Sequence, residues 1–143
     1  MANPQGYYIE DLSVGMTEAF AKTVTSDDIV CFAGISGDNN PIHLDEDYAA
    51  ATPFKQRIAH GMLSASFISA VLGTRLPGPG CIYMSQSLKF RAPVKVGDDV
   101  TATATIKDID SERKRITLET VCRVGDTVVI DGEALMKVNS RPQ

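Results

Sequence analysis

Gly61-Met62-Leu63-Ser64-Ala65-Ser66-Phe67-Ile68-Ser69-Ala70-Val71-Leu72-Gly73-Thr74 is the stretch on which the fold turns. Between Met62 and Leu72, apolar or small residues fall on every side of a helical projection, and the only polar side chains are Ser64, Ser66 and Ser69. A helix with no polar face has to be covered all round. The stretch is too short to cross a bilayer, which takes about 20 apolar residues. Gly73 stops it and Pro77-Gly78-Pro79-Gly80 turns the chain away. The pattern therefore predicts a buried central helix.

Downstream the period changes from helical to two. Ile82, Met84, Leu88 and Phe90 share one face, and after the Val96-Gly97-Asp98 turn so do Val100, Ala102, Ala104 and Ile106. Ile116, Leu118, Thr120 and Cys122 predict a third strand, and Val128, Ile130, Ala134, Met136 and Val138 a fourth. Met16 to Val24 reads as an earlier strand. A long apolar helix followed by a meander of alternating strands is an α+β pattern in which an antiparallel sheet wraps around the helix. That is the single hotdog fold, expected over residues 1–143 as one domain. Such a sheet has open edges, commonly managed by pairing, so a homodimer is expected.

With 143 residues, 43% hydrophobic and 22% charged, the chain suits one core. A net charge of -4 argues against nucleic acid or an acidic membrane as partner. Cys31, Cys81 and Cys122 are odd in number, widely spaced and fit no metal or redox pattern, so they read as buried free thiols in a reducing compartment. The N-terminal MANPQGYYIEDL has neither a basic start nor an apolar run. A cytoplasmic location is the expectation.

Upstream of the central helix lies the chemistry. Thr25-Ser26-Asp27-Asp28 resembles a helix start, and Ile29, Phe32, Ala33 and Ser36 follow at helical spacing until Gly37. Asp38 then sits just past a helix end. Asn40-Pro41 is expected to keep the next residues extended and to present His43 from a stiff loop, before a short helix from Asp45 to Ala51. Taken singly, an Asp after a stop glycine is usually a turn residue, and a His beside a proline is usually structural. Held together, a carboxylate and an imidazole can exchange protons with a bound water near neutral pH. His60, the other histidine, reads as a structural hydrogen-bonder beside Gly61, because no spacing here matches a metal site.

The run Phe32-Ala33-Gly34-Ile35-Ser36-Gly37-Asp38-Asn39-Asn40-Pro41-Ile42-His43, completed by Ala49, resembles the signature of the (R)-specific enoyl-CoA hydratases of the MaoC-like dehydratase family. The likeness continues through His60-Gly61-Met62-Leu63, Ile82-Tyr83, Gln86 to Phe90 and Pro93 to Asp98. It implies reversible addition of water to a trans-2-enoyl-CoA, giving the (R)-3-hydroxyacyl-CoA without metal or redox cofactor; coenzyme A belongs to the substrate. By resemblance Asp38 and His43 activate the water and deliver the proton to the α-carbon. Ser69 corresponds to a serine lining the family's catalytic pocket, and Asn40 ties the loop together. Gly61 is the candidate oxyanion donor, since its N–H opens the central helix. Leu72 is a candidate wall near the far end of the acyl tunnel. Lys89, Arg91 and Lys95 fit either the coenzyme A phosphates or a solvated strand end.

Three competing functions remain. Acyl-CoA thioesterases and hydroxyacyl dehydratases acting on acyl carrier protein generally carry a carboxylate on or near the central helix, and Met62 to Leu72 has none. A non-catalytic acyl-CoA binding subunit would keep the fold and lose the acid/base pair, yet both residues are present. Short to medium straight acyl chains are the default substrate. Polyester precursor supply, fatty-acid oxidation and a branched-acid route such as mesaconyl-type hydration all stay open as pathways.

Overall fold

Alternating residues between Asp99 and Lys137 build three long strands in a computed structural model that describes residues 6–143. The start of the N-terminal stretch read as lacking a secretory signal, 1–5, lies outside the described residues. In chain order the elements are β1 (Thr17–Thr23), α1 (Ser26–Ser36), α2 (Pro41–Leu44), α3 (Glu46–Ala50), α4 (Gly61–Thr74), β2 (Ile82–Gln86), β3 (Lys89–Phe90), β4 (Asp99–Asp110), β5 (Arg115–Val124) and β6 (Thr127–Lys137). All strand pairings are antiparallel, in the order β1-β4-β5-β6-β2, with β3 also on β6. The inner face packs on α4, as a hotdog fold requires.

The core follows the period-two pattern closely. Val100, Ala102, Ala104 and Ile106 of β4 and Ile116, Leu118 and Cys122 of β5 are all buried against Leu63, Phe67, Ile68, Val71 and Leu72 of α4. Phe20 of β1 meets Phe67 edge to face at 5.8 Å. Thr120, also buried, accepts a 2.8 Å hydrogen bond from Gln86 Nε2. On β6 the expected alternation slips: Val129 is buried beside Ile130, because the register shifts between Cys122 and Arg123 and one extra residue is taken up there.

Three expectations need correction. The stretch from Ile82 to Phe90 is not one strand; a register irregularity follows Tyr83 and the chain breaks into β2 and β3, leaving Ile82, Tyr83, Met84 and Phe90 exposed. The central helix is not covered all round. Met62, Ser66 and Ser69 form an exposed stripe beside β2, which is a sheet edge. Cys31 is exposed, not buried; Cys81 is half-buried, and burial pushes the Cys122 thiol up to about 12.

α1 shows why its residues fold locally as they do. Thr25 Oγ1 accepts from Asp28 N–H at 3.1 Å while the Asp28 carboxylate accepts from Thr25 N–H at 3.0 Å, a reciprocal cap. Lys22 Nζ lies 2.6 Å from the same carboxylate. That contact, followed by the Thr25 amide, holds the Asp28 carboxyl below its ordinary value of 3.8. Thr25→Ala is expected to lower unfolding stability by about 1 kcal/mol in urea denaturation. Because the folded-state value is depressed, the contribution of Asp28 is present above 3.8 and is lost as pH falls from there through the folded value. The stability deficit of Asp28→Asn should therefore shrink in that acid range; a pH-independent deficit would contradict the ion pair.

Candidate active site

Short-range hydrogen bonds shape the loop after α1 residue by residue. Gly37 takes φ 81° and its N–H closes on Ala33 O at 2.9 Å, ending the helix in a conformation only glycine adopts freely. Asp38 N–H donates to Ser36 Oγ at 3.1 Å, and Asn40 N–H donates to Asp38 Oδ1 at 3.3 Å. Asp38 is thus a turn residue as well as a candidate acid/base group. Asn40 Oδ1 then accepts from Ile42 N–H at 3.1 Å and caps α2.

His43 therefore stands on one turn of helix, not on the extended loop expected. The restriction before proline falls on Asn40 alone, with φ -54° and ψ 129°. Pro41 itself suits the first helical position, where its missing N–H costs nothing. Asn40 ties the loop together as anticipated, as cap and as donor to Asp38.

The approach to α4 grips both candidate residues. His43 Nδ1–H donates to Ile58 O at 2.8 Å, since a carbonyl can only accept, which leaves the Nε2 lone pair of the neutral ring free. Arg57, buried, donates through Nε to His43 O at 2.6 Å and through Nη1 to Ser26 Oγ at 3.0 Å. His60 Nε2–H donates to Asp38 O at 2.8 Å, the structural bond expected of it. The rings of His43 and His60 stack with centroids 3.8 Å apart. Ala59 N–H in turn donates to Val94 O at 2.7 Å, fixing the segment to the sheet side. Arg57 escaped the sequence reading, where it stands two residues after Lys55 with nothing in its spacing to mark it.

Asp38, His43, His60 and Gly61 line one cavity of about 540 Å3, with apolar walls from Phe54, Ile58, Val94 and Ile130. A Cβ on Gly61 would come within 2.6 Å of the Phe90 ring, which would have to move to admit a side chain. Its N–H belongs to the first turn of α4, where helix geometry leaves donors unpaired and the dipole favours an anion. Ser64 also lines this cavity and is buried, and its Oγ has no hydrogen-bond partner among the described residues. Ser66, by contrast, returns its hydroxyl to Leu63 O at 2.5 Å.

Other candidates fall elsewhere. Ser69 lines a second cavity, of about 560 Å3, with Phe32, Met62, Tyr83 and Met84. Leu72 is fully buried in the core and lines neither cavity, so the apolar walls named above replace it. Of the three basic residues only Arg91 borders the first cavity, and it pairs with Asp131 at 3.2 Å.

Donor atoms of Asp38, His43 and His60 lie within 4.8 Å of one another, a spacing that invites comparison with a metal centre. The stack opposes it. Imidazole lone pairs lie in the ring planes, and two planes tilted by 25° with centroids 3.8 Å apart do not converge on an ion about 2.0–2.1 Å from each nitrogen. The arrangement instead places two proton acceptors, the Asp38 carboxylate and His43 Nε2, beside a helix-start donor.

Residues 13–128 match the MaoC like domain. A curated (R)-specific enoyl-CoA hydratase of Rhodospirillum rubrum is 58% identical over 94% of this chain and 94% of its own length. A 3-hydroxybutyryl-CoA dehydratase of Methylorubrum extorquens is 56% identical over 95% of this chain and 87% of its own. The unliganded R-hydratase structure from Pseudomonas aeruginosa superposes with a TM-score of 0.91 at 40% identity, covering 95% of this chain and 88% of that one. A mitochondrial 3-hydroxyacyl-[acyl-carrier-protein] dehydratase of Arabidopsis thaliana is 34% identical over 86% of this chain and 75% of its own length. Family match, identity and superposition agree that the chain belongs to the MaoC-like domain family.

Proposed function

We propose that this protein adds water reversibly and (R)-specifically to trans-2-enoyl-CoA, with Asp38 and His43 as the acid/base pair. The observation that carries the reading is their convergence in one cavity at the start of α4. The R. rubrum relative supports the same activity. Water held between the Asp38 carboxylate and His43 Nε2 directs an oxygen lone pair at C3. As the C3–O bond forms, the pair accepts a proton from water, and the C2=C3 electrons move onto the thioester oxygen. Gly61 N–H stabilises that oxyanion. When the enolate collapses, the pair delivers a proton to C2, and the reverse sequence is dehydration.

Short to medium straight acyl chains are the proposed substrates, with no metal or redox group taking part. A homodimer is part of the proposal. The exposed α4 stripe with Ser69 and Met62, flanked by Tyr83 and Met84 at the β2 edge, is apolar surface that a second copy would cover. Ser69 then joins the pocket wall through that pairing. Among the described residues no helix is long and apolar enough to cross a membrane. A cytoplasmic location is part of the same proposal, with the whole chain, 1–143, acting as one domain.

Crotonyl-CoA should lose its enoyl-thioester absorbance on adding the protein and yield the (R)-alcohol with no free thiol. Free coenzyme A would point to a thioesterase. Turnover of acyl-carrier thioesters alone would point to a carrier-protein dehydratase, and tight binding without turnover to a binding subunit. Asp38→Asn and His43→Gln should each lower kcat by at least about 10²-fold with melting temperature nearly unchanged; near-normal turnover would remove that residue from the mechanism. Gly61→Ala keeps the N–H but should lower kcat by up to about 10²-fold, because the new methyl meets the Phe90 ring and shifts the donor from its place. Chelator treatment should leave activity intact; inhibition reversed by zinc would overturn the site.

A further inference from the structure

Two buried polar atoms among the described residues lack any hydrogen-bond partner, and both border the active cavity: His60 Nδ1 and Ser64 Oγ. They are complementary. His60 gives its Nε2 proton to the Asp38 carbonyl, so in the neutral ring Nδ1 carries a lone pair and needs a donor. Ser64 carries a hydroxyl proton that needs an acceptor. His60 is the N-cap of α4 and Ser64 lies in its first turn, with Ser64 N–H directed at His60 O at 3.5 Å and both residues lining the same cavity. Leaving both unpaired is costly in a buried setting, and joining them removes both costs together.

We propose that Ser64 and His60 form a buried relay that positions Asp38 for catalysis. Ser64 Oγ–H donates to His60 Nδ1, either after rotation about its own Cα–Cβ bond or through one water, and thereby fixes the tautomer with hydrogen on Nε2. That hydrogen holds the Asp38 carbonyl. The His60 ring is at the same time clasped between His43, at 3.8 Å, and Phe32, at 4.9 Å. One side chain therefore sets the separation of the two acid/base residues. His60 and Ser64 touch no reacting atom; they are positioning residues, and their role rests on the Asp38–His43 reading.

Nitrogen-15 NMR of histidine-labelled wild-type protein reads the tautomer directly. The expected signature is a protonated Nε2 and a bare, hydrogen-bonded Nδ1 for His60; a protonated Nδ1 would overturn the relay. Ser64→Ala should move the His60 Nδ1 resonance and lower kcat ~10-fold with KM within about twofold, the lower end of what lost orienting partners cost. His60→Leu should lower kcat ~100-fold, and His60→Gln, which keeps an N–H for the Asp38 carbonyl, should recover a large part of that. Melting temperatures taken alongside identify a variant that merely unfolds. Unchanged kcat and an unmoved resonance in Ser64→Ala, or a glutamine variant no better than leucine, would sink the proposal and leave the Asp38–His43 assignment standing. Full turnover by Asp38→Asn would sink that assignment instead.

Discussion

Three hydrogen bonds from four consecutive residues hold this site together. Arg57 grips the carbonyl of His43, Ile58 O receives the His43 ring proton, and His60 grips the carbonyl of Asp38. The same four residues run straight into Gly61 and are anchored on the other side to Val94. Acid/base loop and helix-start donor are therefore parts of one braced unit, although Asp38 and Gly61 are far apart in sequence. Without the brace, the loop has only its own turn and cap hydrogen bonds, which are individually weak.

Such bracing matters because the proposed chemistry is mostly placement. Water is a poor nucleophile, and an error of about 1 Å in presenting it can cost about 10²-fold. α2 is a single turn and α3 little more, so neither stands alone in water. Their geometry is borrowed from the rigid layer beneath, where α4 packs against β4, β1, β5 and β6. The carboxylate remains exposed at the cavity while His43 and His60 are buried. A solvated group can meet water, and the buried rings keep the frame fixed.

Much of the fold could be read from sequence because burial has a period. Val100 to Ile106 and Ile116 to Thr120 alternate as they must when one face rests on a helix. The same logic located α4 and the Gly37 stop. It misjudged the α4 stripe of Met62, Ser66 and Ser69, which the sheet leaves uncovered beside the β2 edge. Local breaks were also illegible: the irregularity after Tyr83 and the extra residue near Val129 depend on pairing partners distant in sequence. At the site, the signature residues were legible as types, but the cap that Asn40 provides was not, because no helix was expected directly after it. The one-turn helix under His43 was missed because the restriction before proline was extended past Asn40. Arg57 was missed, and Ser64 was read as returning its hydroxyl to the helix backbone as Ser66 does, because their significance lies in what they contact or fail to contact, which spacing does not encode.

That Asp38 and His43 work as one unit on one water is the claim on which the rest depends. A double-mutant cycle measures it: kcat for wild type, Asp38→Asn, His43→Gln and the double variant, on the same enoyl thioester. Groups acting in a single concerted proton transfer are strongly non-additive. The double variant should be no more than about tenfold slower than the poorer single variant. Losses that multiply fully would mean the two residues act independently, and would contradict a shared water held between them.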